Sequence, residues 1–315
     1  MANQLLQVPT ERLFHADETG WRVFEKQAGK EGYRWYLWLM QSPSVAFYKM
    51  APGRDAGIPI EHFSGLEEKK LTVFLVCDRY SAYKKLAKDI PVIVLAFCWA
   101  HVRRDFLDAA RAWPHLEAWM FSWVKNIGEL YHTNKSRLAH WNEDMPLDRQ
   151  SNAFNQHQTM LLDQLSDMKN ARDAMLQQED LHSIQRSVLT SLETHWNGLV
   201  LFAKHPEIKM DNNLAERSLR NPVTGRKRYQ GSGSVWSAEL AAFMFTAFQT
   251  ILLWDINPRH WLAVYLSACA ENGGKAPTDL SPYLPWEMTK EQRHTLSLPA
   301  CMTQIDDIPL IQDSG

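Results

Sequence analysis

LTVFLVCDRYSAYKKLAKDIPVIVLAFCW, residues 71–99, sets two apolar runs around a helical stretch. The runs at 71–78 and 91–99 have almost no polar interruption, the pattern of strands buried on both faces. Between them SAYKKLAKD (81–89) is helical in pattern. Working toward the N-terminus, RLFHAD, WRVFE, RWYLWLM and SVAFYKM read as strands separated by turn-prone residues such as Gly29, Gly32 and Ser42-Pro43. Three antiparallel strands are the simplest reading, with a helix near IEHFSGL (60–66) after them. Three strands, helix, strand, helix, strand is an α/β order: a mixed sheet with helices packed on it.

In this reading Asp17 ends the first strand and Asp78 ends the fourth. If those strands lie side by side and parallel, both carboxylates emerge at one sheet edge, where ligands of open α/β sheets sit. From about 100 to 205 the periodicity is helical throughout, a helical insertion. A turn at GSGS (231–234), a buried helix in ELAAFMFTAFQTILLW (239–254), the segment 257–274 and an irregular tail from 275 complete the chain.

Composition narrows the classes. Apolar content of 45%, charged content of 22% and 14 glycines in 315 residues describe a globular protein rather than a disordered or fibrous one. No run of 18 apolar residues occurs, and MANQLLQVPTERLF lacks a basic segment followed by an apolar one, so a cytoplasmic protein is expected. Cysteines 77, 98, 269 and 301 contain no CxxC pair and read as reduced thiols. A net charge of −2 argues against indiscriminate nucleic-acid binding by the whole surface, so charge has to be read locally.

Locally, KMDNNLAERSLRNPVTGRKR (209–228) sets Glu216 among Lys209, Arg217, Arg220, Arg226, Lys227 and Arg228. Two readings are open for Glu216. It completes a capping box with Asn213 and an i, i+4 pair with Arg220, or it is an acidic ligand. Asp17, Asp78 and Glu216 form an oxygen donor set suited to divalent cations in phosphoryl transfer. Glu18 follows Asp17 as a helper or surface residue, since adjacent strand residues face opposite ways. Asp78 has a strand-capping alternative, and Asp211 reads as a helix cap. Cys98 and His101 suggest zinc, yet two ligands fall short of the usual four. Arg103, Arg104, Arg217, Arg220, Arg226, Lys227 and Arg228 are candidate contacts to a phosphate backbone, against the reading of an ordinary solvated face. The 13 tryptophans read mostly as core.

Several blocks in order, HADETGWRVF, CDRYSAYK, CWAHVRRDF and DNNLAERSLRNPVTGRKRYQGSGS, resemble the catalytic domain of the insertion-sequence-66 family of bacterial transposases. The resemblance implies a ribonuclease-H-like fold with a large all-helical insertion. It implies that Asp17, Asp78 and Glu216 are catalytic and hold two Mg²⁺ ions, with Mn²⁺ as a substitute, and that no organic cofactor takes part. Cys98 and His101 match the family's short Cys-x-x-His element; with Asn212 and Asn213 they are candidates to shape the site. The implied chemistry is phosphodiester hydrolysis at element ends, then attack of a DNA 3′-hydroxyl on a target strand. The implied partners are DNA, further copies of the chain and accessory proteins of the same element, with no membrane, in a nucleoid-associated cytoplasmic setting.

The domain expectation is residues 1–105 and 206–260 as two parts of the core, 106–205 as the insertion, and 261–315 as a C-terminal helix and tail. Full-length family members carry an amino-terminal helix-turn-helix and zinc-binding region, and 16 residues precede Asp17 here. That favours one alternative, an inactive DNA-binding remnant that regulates intact copies; the other is a nuclease without strand transfer, which would use the same carboxylates.

Overall fold

The computed structural model describes residues 11–26, 32–66 and 71–297. Five strands form a mixed sheet of order β3-β2-β1-β4-β5: β1 (Leu13–Arg22), β2 (Arg34–Gln41), β3 (Ala46–Ala51), β4 (Val73–Cys77) and β5 (Ile93–Phe97). The chain divides into two compact units, one of Arg12–Thr19 with Gly53–Arg220, the other of Gly20–Pro52 with the chain from Asn221.

In the first unit β1 pairs parallel with β4, and β4 parallel with β5. The apolar runs of residues 71–99 become β4 and β5, with Ser81–Asp89 (α2) between them and Gly57–Phe63 (α1) before. Trp99–Ala112 (α3), Glu117–Leu138 (α4), Asn152–Leu176 (α5), Ser183–Leu199 (α6) and Leu201–Lys204 (α7) follow, with no strand among the described residues between β5 and Asn213. α3 shows why they pack as they do. Trp99, Val102, Phe106, Ala109 and Ala110 recur at helical spacing on one buried face. They join Val76 and Ala96 of the strands and Met120, Trp123, Ile127 and Leu130 of α4 in one core. Phe106 and Trp123 stack with ring centroids 5.6 Å apart. Arg137, wholly buried, donates to the carbonyls of Phe202 (2.9 Å) and Ala203 (3.1 Å), using its charge to satisfy a helix end.

In the second unit β2 and β3 are antiparallel, registered from Tyr36 opposite Ala51 to Gln41 opposite Ala46. Val235–Leu253 (α9) lies on β3, and its threonines meet that strand. Thr246 Oγ1 accepts from the Tyr48 amide at 2.9 Å and Thr250 Oγ1 from the Ala46 amide at 3.1 Å. The helix thus covers a sheet edge with hydrogen-bond acceptors. It is long and apolar enough to span a membrane by length and composition, but these bonds are those of a helix docked on a sheet. Pro258–Glu271 (α10) and Lys290–Thr295 (α11) complete the unit. Asn213–Tyr229 (α8) begins in the first unit and ends in the second.

Three expectations need correction. RLFHAD and WRVFE are one strand, because the chain stays extended through Thr19-Gly20, so Asp17 sits within β1 rather than at its end. Three strands precede β4 as expected, with β2 bonded to both β1 and β3 and antiparallel to β3 by register, while the other edge of β1 pairs parallel with β4. The helix at 239–254 is not uniformly buried, since Leu240 and Phe243 are exposed, together with Trp236 one turn earlier. The tail is not wholly irregular, for Thr289 caps α11 by accepting from the Gln292 amide at 3.2 Å. Gly29 and Cys301 lie outside the described residues.

The close approach of α6 to β5 depends on one residue. A Cβ at Gly198 would lie 2.5 Å from the Phe97 ring and 2.7 Å from the Leu95 carbonyl. Gly198→Ala is expected to lower unfolding stability by about 1–3 kcal/mol through overpacking. Gly128→Ala, in α4 with nothing within 4 Å of the new methyl, is expected to raise it by about 0.5–1 kcal/mol. Urea denaturation of both variants checks the pair, and equal midpoints would contradict the packing described.

Candidate active site

The register of β1 on β4 sets His15 opposite Val76; two residues further along each chain are Asp17 and Asp78. Parallel pairing therefore brings these two carboxylates to neighbouring positions at the C-terminal end of β4. Asp78 leaves the strand with Oδ1 accepting from the Tyr80 amide at 2.8 Å, a turn that leads into α2. The strand-capping reading of Asp78 thus holds for one oxygen. Asp17 Oδ1 accepts from the Glu18 amide at 2.9 Å.

The electrostatics of this cluster are unfavourable for anions. The Asp17 carboxyl is pushed up to about 8 by burial, with the Glu18, Asp78 and Glu216 carboxylates adding to the shift. Glu18 is buried rather than at the surface, its side chain 1% exposed. Its Oε1 accepts from Arg54 Nε at 2.7 Å and its Oε2 from the Tyr83 hydroxyl at 2.6 Å. Arg54 in turn stacks 3.8 Å from the centre of the Tyr80 ring. Burial raises the pKa of Glu18, against the pull of Tyr83 and Arg54. The guanidinium thus answers Glu18, and among the described residues no ion pair is formed by Asp17.

Glu216 enters from the first turn of α8, positioned by Asn212. That buried residue donates from Nδ2 to the Ala16 carbonyl at 2.8 Å, meets His15 Nδ1 through Oδ1 at 3.0 Å, and donates its amide to Cys98 Sγ at 3.2 Å. Its carbonyl accepts the Glu216 amide at 3.1 Å, so Asn212 rather than Asn213 occupies the N-cap position. The Asn213 amide is taken by Asp211 Oδ1 at 3.1 Å, so the capping role falls to Asp211 and leaves the Glu216 carboxylate for other partners. Cys98, the N-cap of α3, and His101 provide its surroundings: one ligand atom from each of Cys98, His101 and Glu216 lies within 4.8 Å of the others. Asp17 and Asp78 are outside that group, although both act on the cluster electrostatically.

The basic candidates divide. Arg103 and Arg104, with Arg111, are exposed on α3 and line a cavity of about 640 Å³ that also reaches Asp108, Tyr131, Asp211 and Asn213. Among the described residues neither Arg103 nor Arg104 makes an ion pair. The Tyr131 hydroxyl is buried there, its pKa pushed up by burial and by the Asp211 carboxylate beside it. Arg217 and Arg220 are exposed on the first half of α8. Arg226, Lys227 and Arg228 belong to the second unit, where Arg226 donates to the Gly20 carbonyl.

Sequence reasoning passed over His15, Arg54, Tyr83 and Tyr131. His15 carried a signal, since strand alternation places it on the same face as Asp17. Arg54 and Tyr83 carried none, because both come from elements whose packing on Glu18 is set by the fold.

Comparison with known proteins adds an independent line. A family model described as "Transposase IS66 family" matches residues 1–240. Among curated proteins, "Uncharacterized protein y4hP" of Sinorhizobium fredii (strain NBRC 101917 / NGR234) is 28% identical over 276 residues, covering 82% of this chain and 46% of that protein. "Uncharacterized protein y4qI" of the same strain is 26% identical over 292 residues, 88% of this chain and 50% of that one. The chain spans about half the length of the curated relatives it matches.

A carboxyl held near 8 when folded and near 4 when unfolded has a definite linkage sign. Between those values the folded state binds the extra proton, so stability falls as pH rises from about 4 to about 8. Asp17→Asn is expected to flatten that slope in chelator-containing buffer and to raise the melting temperature at pH 8, by about 2–4 °C for each kcal/mol relieved. Calorimetry from pH 5 to pH 8 checks it; parallel wild-type and variant profiles would contradict the charge crowding.

Proposed function

We propose that this chain, which belongs to the transposase IS66 family, is the catalytic part of a DNA transposase that cuts element ends and joins a 3′-hydroxyl to a target strand. The proposal takes the mixed sheet with its helical addition as a ribonuclease-H-like core. The observation that carries it is the convergence on Asp17: burial raises its pKa most, and Glu18, Asp78 and Glu216 add to the shift from three separate stretches of chain. A protein keeps such a like-charge cluster where a cation is to be held.

The donor set fits the Mg²⁺ that the family implies. The carboxylates are hard oxygen donors, and among the described residues Asp17 forms no ion pair. Asp17, Asp78 and Glu216 would hold the ions, with Asp17 central because its neighbours act on it together. Bound divalent ions would supply Lewis-acid stabilisation of the phosphoryl oxygens and ease loss of the attacking hydroxyl's proton.

The chain's own residues supply the rest. Arg54 and Tyr83 hold Glu18 still and so set the backbone of Asp17. Asn212 orients the first turn of α8, and with it Glu216. Arg103 and Arg104, unpaired beside the cavity, would take DNA phosphates on the side of α3. Action on specific element ends and a multimeric assembly with two DNA ends belong to this proposal as well.

Two outcomes test it. With pre-cleaved end DNA, a target plasmid and Mg²⁺, Asp17→Asn, Asp78→Asn and Glu216→Gln are each expected to slow joining by at least about 10³-fold. Joining at the wild-type rate by Glu216→Gln would remove that residue from the site. Cleavage of uncut end DNA by wild type, with no joining of pre-cleaved ends, would favour the nuclease reading. Arg103→Ala and Arg104→Ala are expected to weaken DNA binding across sequences and to lower the log–log salt slope by about 1 each, read by anisotropy across a salt series; an unchanged slope would return these arginines to a solvated face.

A further inference from the structure

The carboxylate cluster does not use Cys98 or His101, yet these two stand beside Glu216. Cys98 caps α3 and His101 lies one turn on, an i, i+3 spacing that puts both on one side of the helix. Their sulfur and nitrogen, with a Glu216 oxygen, lie within 4.8 Å of one another. Among the described residues His101 Nδ1 is buried without a hydrogen-bond partner, an imidazole nitrogen open to a metal. The Cys98 sulfur, at the N-terminus of α3, accepts from the Asn212 amide at 3.2 Å. Such amide groups at a helix N-terminus stabilise negative charge on a ligating thiolate.

We propose that Cys98, His101 and Glu216 form a binding site for a zinc-class divalent cation. One sulfur, one imidazole nitrogen and one carboxylate oxygen are the donors zinc favours, and three protein ligands leave a fourth position open. A hard cation such as Mg²⁺ has little use for the thiolate or the imidazole. Zinc–ligand bonds of about 2.0–2.3 Å place tetrahedral donors roughly 3.2–3.8 Å apart, so small side-chain rotations close the set. Occupancy would draw Glu216 toward α3 and away from Asp17 and Asp78. This second half rests on the function proposed above and makes the soft cation an inhibitor of joining; binding itself does not depend on that function.

The test uses the full chain titrated with Co²⁺, a spectroscopic stand-in for zinc, in buffer free of Mg²⁺. A near-ultraviolet thiolate-to-cobalt band saturating at about one equivalent is expected. The band is expected to be lost in Cys98→Ser, weakened at least about tenfold in affinity in His101→Ala, bleached by added zinc, and retained in Asp78→Asn and in Cys269→Ser/Cys301→Ser. Absence of the band in wild type, or its persistence in Cys98→Ser, overturns the site. Should Cys98→Ser fail to fold by its melting profile, His101→Ala decides, and unchanged Co²⁺ affinity there overturns the site equally. For inhibition, the ratio of joining rates with and without zinc is expected to approach one in His101→Ala; wild-type joining untouched by zinc at saturating Co²⁺-calibrated concentration overturns the inhibitory half. Failure of the transposase reading appears separately, as joining insensitive to Glu216→Gln while the cobalt band still depends on Cys98.

Discussion

The hydrogen bonds of Asn212 hold the site together. Its amide joins residues 196 and 197 positions away, at Ala16 and His15, while its backbone reaches the Cys98 sulfur and the Glu216 amide. Closing so long a loop has an entropic cost that grows only slowly with length, but the contact must still be specific to position a helix. A carboxamide suits the place because it both donates and accepts. An aspartate there would present two acceptors, one facing the Ala16 carbonyl, in a pocket with almost no solvent. Buried polar groups that are fully paired define a single arrangement. Here that arrangement sets the start of α8 against β1 and against the N-terminus of α3, so Glu216, Asp17 and Cys98 keep fixed relations.

Around this fixed point the fold accumulates charge it does not neutralise. Glu18 has Arg54 and Tyr83, whereas Asp17 is left with carboxylate neighbours. On α3 the opposite sign goes unpaired, with Arg103 and Arg104 facing the cavity. Local interactions that oppose stability concentrate where a protein binds and reacts. The core beneath is conventional by comparison: strand residues Val76 and Ala96 pack on the aromatic and aliphatic faces of α3 and α4, and Gly198 lets α6 approach β5 closely. That rigid support allows the charged groups above it to remain crowded.

Much of the fold was legible because it follows from periodicity. The apolar runs at 71–99 became β4 and β5, SAYKKLAKD became α2, and the helical patterns after residue 98 became α3 to α7. Thr246 and Thr250, which interrupted an apolar run in the sequence, proved to be the residues that bond β3. The extent of β1 was not legible, since Thr19-Gly20 resembles a turn and only pairing partners keep it extended. The same holds for the Glu216 capping box: Asn213-x-x-Glu216 fits the motif, but Asp211 reached the Asn213 amide first.

The sequence by itself determined the alternation of strand and helix, the apolar faces that build the core, and the residue types able to hold a cation or a phosphate. These depend on neighbours one to four positions away, which the chain order states directly. The tertiary structure alone decided which of those residues act on one another. Asp17 and Asp78 are neighbours because β1 and β4 pair in a particular parallel register, and Glu216 meets Cys98 and His101 because Asn212 ties α8 to β1 and α3. Such relations arise from hydrogen bonds and burial between residues tens to hundreds of positions apart. No local pattern specifies them.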